Sequence, residues 1–103
     1  MIQQGEIWWG DLPDDKPRPF LVLTRQRAIP SLRSVVVAPI TSQARGLVSE
    51  VPLGAEDGLR IQSVASFDNV AVLPKSLLVR RLGALAPGRW NEVCAAMRAA
   101  IDC

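Results

Sequence analysis

Histidine does not occur in this sequence. Its absence removes histidine-based zinc centres, serine triads and Cys–His nucleophiles together. An enzyme built on this chain must work with carboxylates, arginines, hydroxyls or backbone amides. Cysteine occurs only at Cys94 and Cys103, too little for a disulfide framework. On one C-terminal helix these two would stand about 13 Å apart along the axis, whereas a disulfide tolerates no more than ~7 Å between α-carbons. No run reaches the ~18 uninterrupted apolar residues of a membrane helix. The opening stretch MIQQGEIWWGDL has no basic segment followed by an apolar one, so no secretory signal is expected and the cytoplasm is the expected compartment. Acidic residues are missing from one long stretch. Between Lys16 and Ser49 stand six cations (Lys16, Arg18, Arg25, Arg27, Arg33 and Arg45) and no Asp or Glu.

What is present fits one domain covering residues 1–103, with 49% apolar residues to build a single core. Of the 12 basic residues all but Lys16 and Lys75 are arginines, whose planar fork suits phosphate better than a point charge does. A solvated basic face and an anionic partner both fit that distribution.

Short apolar runs bounded by turn residues predict strands at 5–12, 19–24, 34–41, 49–53 and 77–85, and one or two more within 62–73 around Asp68-Asn69. Trp8 and Trp9 are adjacent, so on a strand they point to opposite faces and cannot both enter one core. The other is expected at a dimer interface rather than stacked on a base. Residues 86–102 read as an amphipathic helix, with Trp90, Val93, Cys94, Met97 and Ile101 on its apolar side and Pro87 in its first turn. Short strands followed by one helix predict a mainly β fold, a small and strongly bent sheet or barrel carrying a C-terminal helix.

Arg18 lies between Pro17 and Pro19 at the mouth of the second strand. Closing 20–25 and 34–40 into an antiparallel hairpin puts residue i opposite residue 59 − i. Arg18 then meets Thr41 and Ser42 at the end away from the hairpin loop. An arginine beside paired hydroxyls can clamp a phosphate; equally, Arg18 can pair with Asp14 or Asp15 while Thr-Ser simply ends a strand. Asp68, in FDN, reads either as a turn residue or as a shielded base.

The order GEIWWGDL, RPFLVLT, VVVAPITS, EVPL and SVASFDN, ending in the amphipathic helix, resembles the MazF/PemK/Kid toxins of bacterial toxin–antitoxin systems. The resemblance runs through nearly the whole chain. It implies an SH3-like barrel, a homodimer, and a metal-independent endoribonuclease without cofactor that cuts single-stranded RNA. It assigns Arg18, Thr41 and Asp68 to catalysis, Ser42 to an RNA contact and Glu6 to a place near the substrate pocket; Glu6, Ser42, Ser66 and Arg25 are the expected RNA-binding residues. It also implies a cognate antitoxin with a flexible acidic segment that competes with RNA. The loop before Arg18, PDDKP, is shorter than in many members, and Ser66 stands where some carry a catalytic arginine. A non-catalytic gyrase poison resembling CcdB, or an SH3-like interaction module, would use the same fold.

Overall fold

The computed structural model describes residues 1–102, so of the two cysteines only Cys94 is described; its thiol is free and exposed, and Cys103 lies outside the described residues. The chain forms β1 (Glu6–Gly10), β2 (Arg18–Val22), β3 (Ser34–Thr41), β4 (Glu50–Leu53), β5 (Ser63–Ser66), β6 (Ala71–Pro74), β7 (Leu78–Ala84) and the helix α1 (Trp90–Ile101). Each expected strand is present, and the 62–73 segment divides into β5 and β6 around a 3₁₀ turn at Phe67–Asn69. No described helix is long and apolar enough to cross a membrane.

All pairings are antiparallel, in the order β4-β5-β3-β2-β1-β7, with β6 also on β3. The β2–β3 register pairs Phe20 with Pro39, Leu21 with Ala38 and Val22 with Val37. Each pair obeys the 59 − i rule. The same strand, β3, changes partner along its length: residues 34–37 pair with β6, and 40–41 pair with β5. Pro39 falls in the gap. Leu23 N donates to Val36 O across the hairpin, so the polar groups of residue 36 face β2 and, by alternation, those of Pro39 face away from it. The proline therefore lacks its N–H on the side where neither β5 nor β6 requires one. The fork between these two strands is spanned by Phe67–Asn69, which carries Asp68.

Alternation sends the strands into two apolar layers. Ile7, Leu21, Ala38, Ile40, Val51 and Val93 belong to one cluster, beneath α1; Phe20, Val22, Val35, Val37 and Leu78 belong to the other, against which Trp8 packs. Trp8 and Trp9 do point to opposite sides, and both stay partly exposed. The helix buries Val93 and Ala96, with Trp90, Met97 and Ala100 half-buried beside them. Cys94 and Ile101, expected on the apolar side, are exposed. Cys94, one residue past Val93, is turned about 100° away from it, whereas Ile101 is the last residue of the helix. Pro87 sits in a separate 3₁₀ turn, Pro87–Arg89, ahead of the helix. Arg89 ties this entrance down, donating to Glu92 and to Pro52 O and approaching the buried Asp57 at 3.5 Å.

The two end strands of the path, β4 and β7, do not pair with each other. The gap is closed by the turn after β4: backbone at Asp57 and Gly58 rests directly on Leu82 and Gly83 of β7. Closure there is by contact of bare backbone, and side chains on either glycine would prevent it.

Candidate active site

Arg18 and Phe20 on β2 share a face with Thr41 and Pro39 on β3, because alternate residues point the same way and the register sets 20 against 39. This face belongs to the second cluster. Where its apolar packing runs out, a cavity of about 420 Å³ opens, floored by Leu12, Phe20 and Leu73 and rimmed by Arg18, Thr41, Ser66 and Asp68. The fork in the sheet brings Asp68 here, since the turn spanning it lies beside the Pro39–Thr41 end of β3.

Each polar group is held by a local contact. The Thr41 hydroxyl oxygen accepts the Gln43 N–H at 3.1 Å, which leaves its own proton to be donated outward. Asp68 Oδ2 accepts the Ser49 hydroxyl at 2.5 Å, while Oδ1 accepts no hydrogen bond from the described residues. Asn69 Nδ2 donates to the Ser66 hydroxyl at 2.9 Å. Arg18 donates to Asp15 Oδ1 at 3.1 Å, and its Nε reaches the Lys16 carbonyl at 3.5 Å. Asp15 Oδ1 also accepts the Lys16 N–H at 2.7 Å. A carboxylate of the protein itself thus occupies the arginine fork. Of the two aspartates in PDDKP it is Asp15 that pairs with Arg18, and the pair is exposed on both sides.

Opposite this cavity, on the first-cluster face, lies a second and larger cleft of about 1150 Å³. It contains Ser42, Pro19 and Trp9, and shares Arg18, Ile40, Thr41 and Gln43 with the first. These shared residues stand at the end of the hairpin, where one can be reached from both faces.

Two expected RNA contacts lie elsewhere. Glu6 lines neither cleft. It is buried and accepts hydrogen bonds from Gln3 N at 2.8 Å, Trp8 Nε1 at 3.0 Å and Arg81 Nε at 2.8 Å. An acid on a strand reads as solvent-facing, and the cation that satisfies it, Arg81, is 75 residues away. Arg25 lies past the other end of β2, beside the hairpin loop, and also lines neither cleft. Seven residues of extended chain separate it from Arg18 by up to roughly 23 Å. Ser49, Gln43 and Asn69 carry no distinguishing signal in the sequence; the fold places Gln43 and Asn69 on the cavity wall and sets the buried Ser49 against Asp68.

Burial alone would raise the Glu6 pKa, but the hydrogen bonds from Trp8, Arg81 and Gln3 outweigh it and hold the carboxyl below its ordinary value. A depressed folded-state pKa contributes stability above the unfolded value and loses it as pH falls through the folded one. Glu6→Gln is therefore expected to destabilise the chain by roughly 1–3 kcal/mol at neutral pH. The deficit should shrink below about pH 4.5, the ordinary value. Urea denaturation across that range measures it, and a deficit independent of pH would rule out the ionised role.

Residues 3–101 match the family described as PemK-like, MazF-like toxin of type II toxin–antitoxin system. The probable endoribonuclease MazF5 of Mycobacterium tuberculosis is 42% identical over 101 residues, covering 97% of this chain and 93% of that protein. Endoribonuclease MazF3 of the same bacterium is 43% identical over 88 residues, 85% of each chain. The solved structure of the Mycobacterium tuberculosis toxin MazF-mt6 is similar at a TM-score of 0.89 and 41% identity, over 94% of this chain and 96% of that one. By sequence over almost its full length and by fold, this chain belongs to the PemK-like, MazF-like toxins of type II toxin–antitoxin systems.

Proposed function

We propose that the chain is an endoribonuclease toxin that cuts single-stranded RNA without a metal ion, and that it works as a homodimer in the cytoplasm restrained by a cognate antitoxin. The observation that carries the reading is the meeting of Arg18, Thr41 and Asp68 around one cavity, in a chain whose curated relatives are endoribonucleases. RNA supplies its own nucleophile. The 2′-hydroxyl attacks the adjacent phosphorus, a 2′-O–P bond forms, and the bond to the 5′-oxygen breaks. The products are a 2′,3′-cyclic phosphate and a 5′-hydroxyl. Asp68 takes the 2′-hydroxyl proton on Oδ1 while Ser49 steadies Oδ2. Arg18 leaves Asp15 and directs two donors at the non-bridging oxygens, where charge builds up. It passes a proton to the departing 5′-oxygen; the proton taken by Asp68 is then released to water and Arg18 regains one from water, so both groups return to their starting charge and no net proton is consumed. Thr41 donates to the same phosphate, and Ser42 and Ser66 contact the nucleotides on either side. The antitoxin, through an acidic segment, would take the place at Arg18 that Asp15 now holds.

The test is incubation of the purified protein with single-stranded RNA in EDTA, followed by analysis of the ends. Cleavage to 5′-hydroxyl and 2′,3′-cyclic phosphate ends is expected; dependence on a divalent ion or 5′-phosphate ends would overturn the mechanism. Asp15→Asn in the same assay separates two roles for that residue. An exposed ion pair contributes about 0–1 kcal/mol, so removing the competing carboxylate should lower KM by up to about fivefold with kcat unchanged. A fall in kcat instead would mean that Asp15 aims Arg18.

A further inference from the structure

The two clefts that meet at Arg18 and Thr41 differ in charge. The smaller cavity has Asp15, Glu50 and Asp68 on its walls beside Arg18 and Arg45. Among the described residues the larger cleft has no acidic side chain in its lining, and besides Arg18 it carries Lys16, Arg60, Arg80 and Arg81. Arg81 is committed to Glu6. Lys16, Arg60 and Arg80 are exposed and have no ion-pair partner among the described residues. Trp9 is the one aromatic side chain among the described residues that line this cleft.

The sheet itself separates the two. Phe20 and Pro39, which line only the smaller cavity, point to the second-cluster face; Pro19 and Ser42, which line only the larger cleft, alternate with them and point to the first. A strand whose scissile phosphate sits on Arg18 and Thr41 can reach both clefts, because both contain these two residues at the end of the hairpin. We infer that it does so asymmetrically, resting on the endoribonuclease reading above: the phosphates on one side of the cut run along the larger cleft against Arg60 and Arg80, and the neighbouring base turns into the smaller cavity. Arg60 and Arg80 are then sequence-indifferent binding residues, remote from the reacting bonds. Their charges neutralise backbone phosphates while Trp9 offers a stacking surface. The carboxylate wall of the smaller cavity repels phosphate and accepts hydrogen bonds, which suits a base edge.

The experiment measures affinity against salt concentration for a random-sequence, single-stranded 2′-O-methyl RNA, which has no 2′-hydroxyl nucleophile and is not cleaved. Each phosphate contact on a single strand contributes about 0.7 to the slope of log K against log salt. The Arg60→Ala/Arg80→Ala double variant should therefore lose about 1.4 from the slope. Its cleavage sites, read by end sequencing of natural RNA, should match those of the wild type. Arg60→Lys/Arg80→Lys should keep the slope, because charge rather than the planar fork is what phosphate tracking needs. Arg33→Ala, at the opposite end of β3, should leave it unaltered. An unchanged slope in the double alanine variant would overturn the inference, and so would altered cleavage sites. Loss of the oligomeric state on sizing would overturn it too, by making the cleft a protein interface. Wild-type protein that binds no RNA would instead remove the endoribonuclease reading, and this inference with it.

Discussion

Arg18→Ala is expected to lower kcat/KM for RNA by about a hundredfold or more and to leave the fold intact. The size follows from what the guanidinium does in the reaction, because one well-aimed donor to a developing oxyanion contributes about 3 kcal/mol in a preorganised site. Stability should barely change, because Arg18 is partly exposed and its partner Asp15 more so, at 38% and 56% of their side chains. Exposed pairs of this kind contribute about 0–1 kcal/mol. The loss should appear mainly in kcat, since the fork is needed most when negative charge accumulates on the phosphorane. Arg18→Lys keeps the charge but cannot reach two oxygens in a fixed plane, so it should recover only part of the rate. Thermal melting run beside the kinetics separates chemistry from unfolding. A folded alanine variant within about threefold of wild type would remove Arg18 from the reaction.

The largest expected loss of stability is at Gly83. A β-carbon there would overlap the carbonyl of Asp57 and crowd Gly58, both of them backbone. No side-chain rotation can relieve such a collision, so the closing turn would have to lift away from β7. Overpacking costs about 1–3 kcal/mol even where side chains can yield, and Gly83→Ala is expected at or above the top of that range. For a domain of this size about 3 kcal/mol corresponds to a Tm lower by roughly 12 °C or more. Gly88→Ala provides the control, because a β-carbon there meets nothing within 4 Å. The partial opening should also reach the larger cleft, which Gly58 and Leu82 line. Equal melting temperatures for the Gly83 and Gly88 variants would show that the contact does not close the sheet.

Local rules carried far along this chain. Each strand was legible because short apolar runs rich in β-branched residues, such as SVVVAPIT, are bounded by polar or turn residues. The hairpin register was legible for the same reason. A slip by one residue would have sent Leu21 and Ala38 to the wrong layer, so 59 − i was enforced by burial as well as by the loop. That register put Arg18 beside Thr41. The resemblance to a toxin family rested on the same short stretches. Glu6 was legible as an acid near the start of β1, but not as a buried one, since its partner Arg81 comes from the far end of the chain.

By itself the sequence determined the strands, the helix, the absence of any histidine chemistry, and the hairpin register that carries Arg18 and Thr41 to the same end. All of these depend on residues close in the chain or on strict alternation. Only the tertiary structure decided the rest. It placed Asp68 at the fork where β3 exchanges β6 for β5, closed the sheet through Gly58 and Gly83, and set a mixed cavity and a cationic cleft on opposite faces of one hairpin end. Those features join residues tens of positions apart, and no periodicity records such a meeting. They arise from how a bent sheet divides its two faces, which is settled only when every strand has found its neighbour.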